Sequence, residues 1–227
     1  FGAETTQHLG VGSVVVYLAS FTILTASIIA LTKDNLKARL AYSTISQLSY
    51  IVFGIAMLTP SGMIGGMVHI ANHAFSKITL FFCAGSIYAA SGKTNVSQLN
   101  GIARKMPWTM TAFAIGALSM IGMPLFAGFI TKWYLAFGIV EGGNLPLLLV
   151  LGVSSILNGA YFLPVIYSAF FKKLPANEKP ERKEAPPLML VPLIISAAVT
   201  LLIFLYPSFF VGLAKLVLPP SVEGNLE

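Results

Sequence analysis

Met63–Ala90 reads MIGGMVHIANHAFSKITLFFCAGSIYAA. These 28 residues hold no carboxylate and a single lysine. A helix needs roughly 20 predominantly apolar residues to cross a hydrocarbon core of about 30 Å. In lipid, only a helix or a closed barrel satisfies its own backbone hydrogen bonds. The stretch is too long and too continuously apolar for an alternating barrel strand, so it predicts a membrane-spanning helix.

Five more such runs flank it, at about Val11–Leu31, Ala38–Leu58, Trp108–Val140, Leu145–Phe171 and Leu188–Leu218. The chain of 227 residues is 56% hydrophobic and only 10% charged, where an ordinary soluble domain is nearer a quarter charged. The expected fold is therefore all-α integral membrane. One transmembrane domain of six helices covers residues 1–227, one of the helices being broken. The single cysteine, Cys83, excludes a disulfide framework within the chain. The start at Phe1, without a signal-peptide pattern, reads as a cut or processed end, and the chain as the C-terminal piece of a longer protein.

The charges order the spans. Of 14 basic residues, Lys33, Lys37 and Arg39 fall in the first loop, and Lys93, Arg104 and Lys105 in the third. Lys172, Lys173, Lys179, Arg182 and Lys183 fall in the fifth, while the second and fourth loops hold none. If six helices alternate, these three loops share one side. The positive-inside rule makes that side cytoplasmic and puts both termini outside a plasma (inner) membrane. The net charge of +6 thus belongs to loops beside a bilayer and does not call for nucleic acid.

The fourth run is too long for one crossing. Its 33 residues would make about 50 Å of helix at ~1.5 Å each, and Gly122, Pro124 and Gly128 lie near its middle. Proline removes a helix hydrogen bond and clashes with the preceding turn. A helix broken there would expose backbone groups, as ion pathways often do; a simple packing kink is the plainer alternative.

Lys215 stands at the end of the last span, and the two basic residues left inside spans are Lys77 and Lys132. A lysine at a helix centre costs roughly 2.5–3.5 kcal/mol on insertion scales and is a functional candidate by default; for Lys132, past the break and towards the outside, snorkelling to the interface is the plainer alternative. His69, His73 and Lys77 follow at i, i+4 and i+8, a spacing that drifts only ~40° per step and keeps all three on one stripe. Histidine titrates near neutral pH and passes protons between its two nitrogens. A path from Lys77 through His73 and His69 towards Lys132 suits proton transfer. Asn72, Ser76 and Thr79, with Ser43, Ser46 and Gln47 from the second span, are available to help; the second-span group would equally serve as interhelical glue. All eight acidic residues lie outside the spans or at their ends, and no HExxH pattern occurs, so no metal is expected. No nucleotide loop or nucleophile motif points to a cofactor.

Three stretches carry a family resemblance. KDNLKARLAYSTISQLSYI at Lys33–Ile51, HIANHAFSKITLFFCAG at His69–Gly85 and GMPLFAGFITKW at Gly122–Trp133 resemble signatures of the antiporter-like subunits of respiratory complex I and of multisubunit Mrp-type sodium/proton antiporters, the Mrp D subunits being nearest. The resemblance implies a subunit of about fourteen helices with two inverted repeats, of which this chain is similar to the second repeat plus a final helix. It implies that Lys77 is the central lysine of a proton channel, that His73 and His69 extend its path, and that Lys132 is the ionisable residue of the second broken helix. On that resemblance a first repeat, with its own lysine and glutamate, would lie outside these residues.

The leading expectation is a proton-translocating subunit of a monovalent cation (Na⁺)/proton antiporter, holding one half-channel. Its partners would be the bilayer, other subunits, H⁺ and a coupled cation such as Na⁺. The alternative is a non-redox, proton-pumping membrane subunit of an NADH:quinone oxidoreductase or membrane-bound hydrogenase. A scaffold that has lost transport is a third reading.

Overall fold

The computed structural model describes residues 5–6, 9–176 and 181–219. Lys179 of the fifth loop, and the tail from residue 220, lie outside them. The described residues form an all-helical, membrane-type fold. Helix α1 is Val11–Thr32, α2 Leu36–Ala56, α3 Pro60–Ser91, α4 Pro107–Ile121, α5 Ala127–Glu141, α6 Pro146–Phe171, α7 Pro187–Leu205 and α8 Pro207–Lys215. Four of them, α1, α3, α6 and α7, are long and apolar enough to cross a membrane. Helix α2 is long enough at 21 residues, but its hydroxyls, Gln47, Lys37 and Arg39 make it more polar than the others.

Local chemistry sets the helix ends. The Asn35 side chain accepts from the Ala38 N–H at 3.0 Å and caps α2, a contact worth about 1 kcal/mol. Pro60 opens α3, where the missing N–H costs nothing. Gly92 closes α3 in the left-handed region at φ 69°, as helix ends favour.

The fourth run is broken, as its length predicts. Helix α4 stops at Ile121, Gly122 takes φ 85°, Leu125 takes φ 74°, and α5 begins at Ala127. The sixth run is also broken, contrary to the expectation of one helix over 188–218. Pro207 offers no N–H and restricts the residue before it. Tyr206 accordingly leaves helical geometry, at φ −124° and ψ 57°, and separates α7 from α8.

The basic loops meet at one end of the bundle. Asp34 accepts from the Ser97 N–H and hydroxyl, Gly101 N–H donates to Ser168, and Lys183 N–H donates to Lys105. The Ser97 donors hold the Asp34 carboxyl below its usual range. At the other end, Glu141 accepts from Ser61 and Thr59 donates to the Gly138 carbonyl. The chain thus runs back and forth between two ends, as the charge pattern requires. Arg39 departs from its loop assignment: it is buried in the first turn of α2, donating to the Lys33 carbonyl and to the Tyr161 carbonyl of α6.

Helices in lipid gain nothing from burying apolar surface against each other, so close packing of small residues holds them. A Cβ on Gly138 of α5 would stand 2.4 Å from Gly62 of α3, and one on Gly54 of α2 would stand 2.6 Å from the Gly62 carbonyl. These contacts press α2, α3 and α5 together and bring their polar faces into one core.

Candidate functional site

Lys77 lies near the midpoint of α3, only 4% exposed. Its ammonium donates to the Ser43 hydroxyl at 2.6 Å and to the Leu40 carbonyl at 3.3 Å, both on α2, and faces the Phe162 ring at 5.5 Å. Among the described residues its partners are all neutral. A buried cation without a counter-charge is costly, so the α2 acceptors and the aromatic face are what hold it.

The break between α4 and α5 supplies the second lysine's partners. An α-helix ends with carbonyls that lack N–H donors. Lys132, one turn into α5, donates to the Ile121 carbonyl at 2.6 Å and to the Ser155 hydroxyl of α6 at 2.8 Å. The positive side chain thus caps the negative end of the α4 dipole. Close approach makes glycine necessary here: a Cβ on Gly122 would stand 2.6 Å from Lys132 Cδ, and one on Gly128 would fall 1.7 Å from the Ser119 carbonyl oxygen.

The histidines share the expected stripe, with ring centroids 6.0 Å apart. His69 Nδ1 meets the Thr131 hydroxyl of α5 at 3.2 Å, and its ring packs edge-on to Tyr50 at 5.6 Å. Among the described residues, the buried Nε2 atoms of His69 and His73 find no hydrogen-bond partner. The stripe is therefore a series of titratable groups with gaps, which water would have to close for a proton to pass.

The supporting residues divide. Ser43 reaches Lys77, and Gln47 donates to the Met120 carbonyl at 3.3 Å. Asn72 accepts from Ser76 at 3.1 Å and from Ser119 at 2.7 Å, and Ser119 accepts from the Gly128 N–H. Pro124 and Gly128 shape the break. Ser46 is turned the other way, bonding to Ser27 at 2.8 Å and the Ile23 carbonyl at 3.0 Å on α1, so it joins helices rather than lysines. Thr79 likewise points to Ser196 of α7.

Sequence reasoning missed the contribution of α6. Ser43 bonds to the Tyr161 hydroxyl at 2.9 Å, Tyr161 donates to Asn158 at 2.6 Å, and Tyr50 donates to Ser154 at 2.7 Å. The Asn158 amide nitrogen lies 3.4 Å from both the Tyr50 hydroxyl and the Met120 carbonyl. The Tyr50 ring in turn lies 5.5 Å from Lys132 Nζ. A signal was present: Ser154, Asn158 and Tyr161 are spaced 4 and 3 residues apart in an apolar run, which places them on one helix face.

Comparison with known proteins bears on this arrangement. The family described as NADH:quinone oxidoreductase/Mrp antiporter, TM, matches residues 7–158. NADH-quinone oxidoreductase subunit N of Desulforudis audaxviator is 41% identical over 204 residues, covering 85% of this chain and 40% of that protein. F(420)H(2) dehydrogenase subunit L of Methanosarcina mazei is 33% identical, covering 81% of this chain and 29% of that protein. Among solved structures, the Mrp complex from Dietzia sp. DQ12-45-1b superposes with a TM-score of 0.84 at 23% identity, covering 97% of this chain and 49% of that one. The chain spans less than half the length of these relatives.

Proposed function

From the premise that this chain belongs to the NADH:quinone oxidoreductase/Mrp antiporter transmembrane family, we propose that it carries a proton half-channel of a redox-driven membrane complex. The observation that supports this most is the polar core itself. A mid-helix lysine, a histidine stripe and a capping lysine at a broken helix are joined by hydroxyls and amides, with no carboxylate among the described residues bonded to either lysine. Lys77 would hold a proton midway across, His73 and His69 would pass it along through intervening water, and Lys132 would exchange it at the break.

The energy source separates this reading from the sodium/proton antiporter that leads on sequence grounds. Both curated relatives named above are subunits of oxidoreductases, which favours the redox-driven alternative. The Mrp likeness, at 23% identity, supports the fold. In this reading the chain binds no redox group itself, and other subunits supply the electrons. Six crossings, with the basic loops cytoplasmic and both described ends outside a bacterial-type plasma membrane, fit the two-ended arrangement of the loops.

The test is to purify the complex from the source membrane and compare driving forces in everted vesicles. Iron–sulfur or flavin subunits should co-purify, and an electron donor should acidify the lumen. A pH change driven by Na⁺ or K⁺ alone, with no redox partner, would return the assignment to antiport.

A further inference from the structure

The polar residues of α6 form a second line between the two lysines, and its hydrogen bonds have a fixed direction. Met120 sets that direction. Its carbonyl would ordinarily accept from the N–H four residues on, but that residue is Pro124, which has none. The freed oxygen takes two amides, that of Gln47 at 3.3 Å and that of Asn158 at 3.4 Å. A carbonyl only accepts, so the Asn158 atom facing it is the nitrogen, and Oδ1 faces Tyr161. Tyr161 must then donate its one hydrogen to Asn158, 2.6 Å away. Having none left, Tyr161 accepts from Ser43 at 2.9 Å, and Ser43 accepts from Lys77 at 2.6 Å. Beyond Asn158, Tyr50 donates to Ser154 and Ser154 to the Leu151 carbonyl. Every donor points away from Lys77.

That order holds only while Lys77 donates to Ser43. A neutral amine carries a lone pair and can accept instead. Ser43 would then donate to Lys77, Tyr161 would donate to Ser43, and Asn158 Oδ1 would lose its donor. A buried amide oxygen without a donor is unstable, so the amide must reorient. Its nitrogen sits on the Met120 carbonyl, and the next carbonyl along, Ile121, is the one that Lys132 caps.

We propose that Ser43, Tyr161 and Asn158 form a coupler that reports the charge state of Lys77 to the broken-helix end holding Lys132. The coupler moves no proton, since an amide cannot hand one on without tautomerising; all three are positioning residues. It rests on Lys77 being the proton carrier proposed above. The other titratable groups facing this line are His73, one turn from Lys77 on α3, and Arg39, which donates to the Tyr161 carbonyl. Tyr50, His69 and Lys132 lie at the far end, and α4 and α7 contribute none.

The test uses the assembled complex in everted membranes, with Tyr161→Phe and Ser43→Ala beside Lys77→Met. Tyr161→Phe keeps the ring and removes only the hydroxyl. The expected result is a fall in proton pumping of about fivefold or more, in the range of ordinary coupling between sites, with a shifted pH profile. A tyrosine hydroxyl infrared band that changes as Lys77 titrates should also vanish. Unchanged pumping and pH profile in Tyr161→Phe would overturn the coupler. If Tyr161→Phe fails to assemble, Ser43→Ala decides by the same pumping and pH readouts. If Lys77→Met pumps normally, the functional assignment itself fails; if Lys77→Met is dead while both hydroxyl variants are normal, only the coupler does.

Discussion

Lys132 Nζ lies 2.6 Å from the carbonyl oxygen of Ile121, across the gap between α4 and α5. The lysine is thus part of the break's architecture as well as a candidate proton site. Lys132→Met should leave the Ile121 carbonyl buried without a donor, at a cost of about 1–3 kcal/mol. Thermal unfolding of the purified complex should show that loss, together with reduced proton translocation. Undiminished stability would mean that water replaces the ammonium at the break.

Gly128 is constrained by backbone rather than by side chains. A Cβ there would fall 1.7 Å from the Ser119 carbonyl oxygen, which cannot swing aside. Gly128→Ala should force α4 and α5 apart, costing at least the 1–3 kcal/mol typical of overpacking. It should also pull Thr131 from His69. The yield of assembled complex should drop, and wild-type yield would contradict the packing described.

The Asp34–Ser97 contact ties the first basic loop to the third. Asp34 is held below its usual carboxylate range by the Ser97 hydroxyl and N–H, so its folded value lies below its unfolded one. The contribution is complete above the unfolded value of ~3.9 and is lost as pH falls through the lowered folded value. Hydrogen exchange at the Ser97 amide should therefore be slow at neutral pH and lose protection only under acid. In Asp34→Asn, protection should already be weaker at neutral pH.

How much of this was legible in the sequence depended on how costly each residue is in a membrane. Lys77 and Lys132 stood out because a lysine inside an apolar run has few bland explanations, and the histidines stood out by sharing its stripe. The break near Pro124 was legible from helix length. Serine, tyrosine and asparagine are cheap enough to serve as packing groups, so Tyr161, Asn158 and Ser154 passed unnoticed despite their common face. Ser46 looked like a site residue for the same reason, yet it bonds α1. Pro207 was visible, but the apolar residues on both sides of it hid the end of α7. Arg39 carries a loop-like charge in the sequence, and only the fold reveals the Lys33 and Tyr161 carbonyls that bury it.

The proposed half-channel stands or falls with Lys77 as its proton carrier. The most direct measurement is donor-driven lumen acidification by everted vesicles holding equal amounts of native complex and of complex with Lys77→Met. Methionine fills similar space but cannot hold a proton. The expected result is a fully assembled variant whose acidification is lost or severely reduced. Acidification at the native rate by that variant would contradict it.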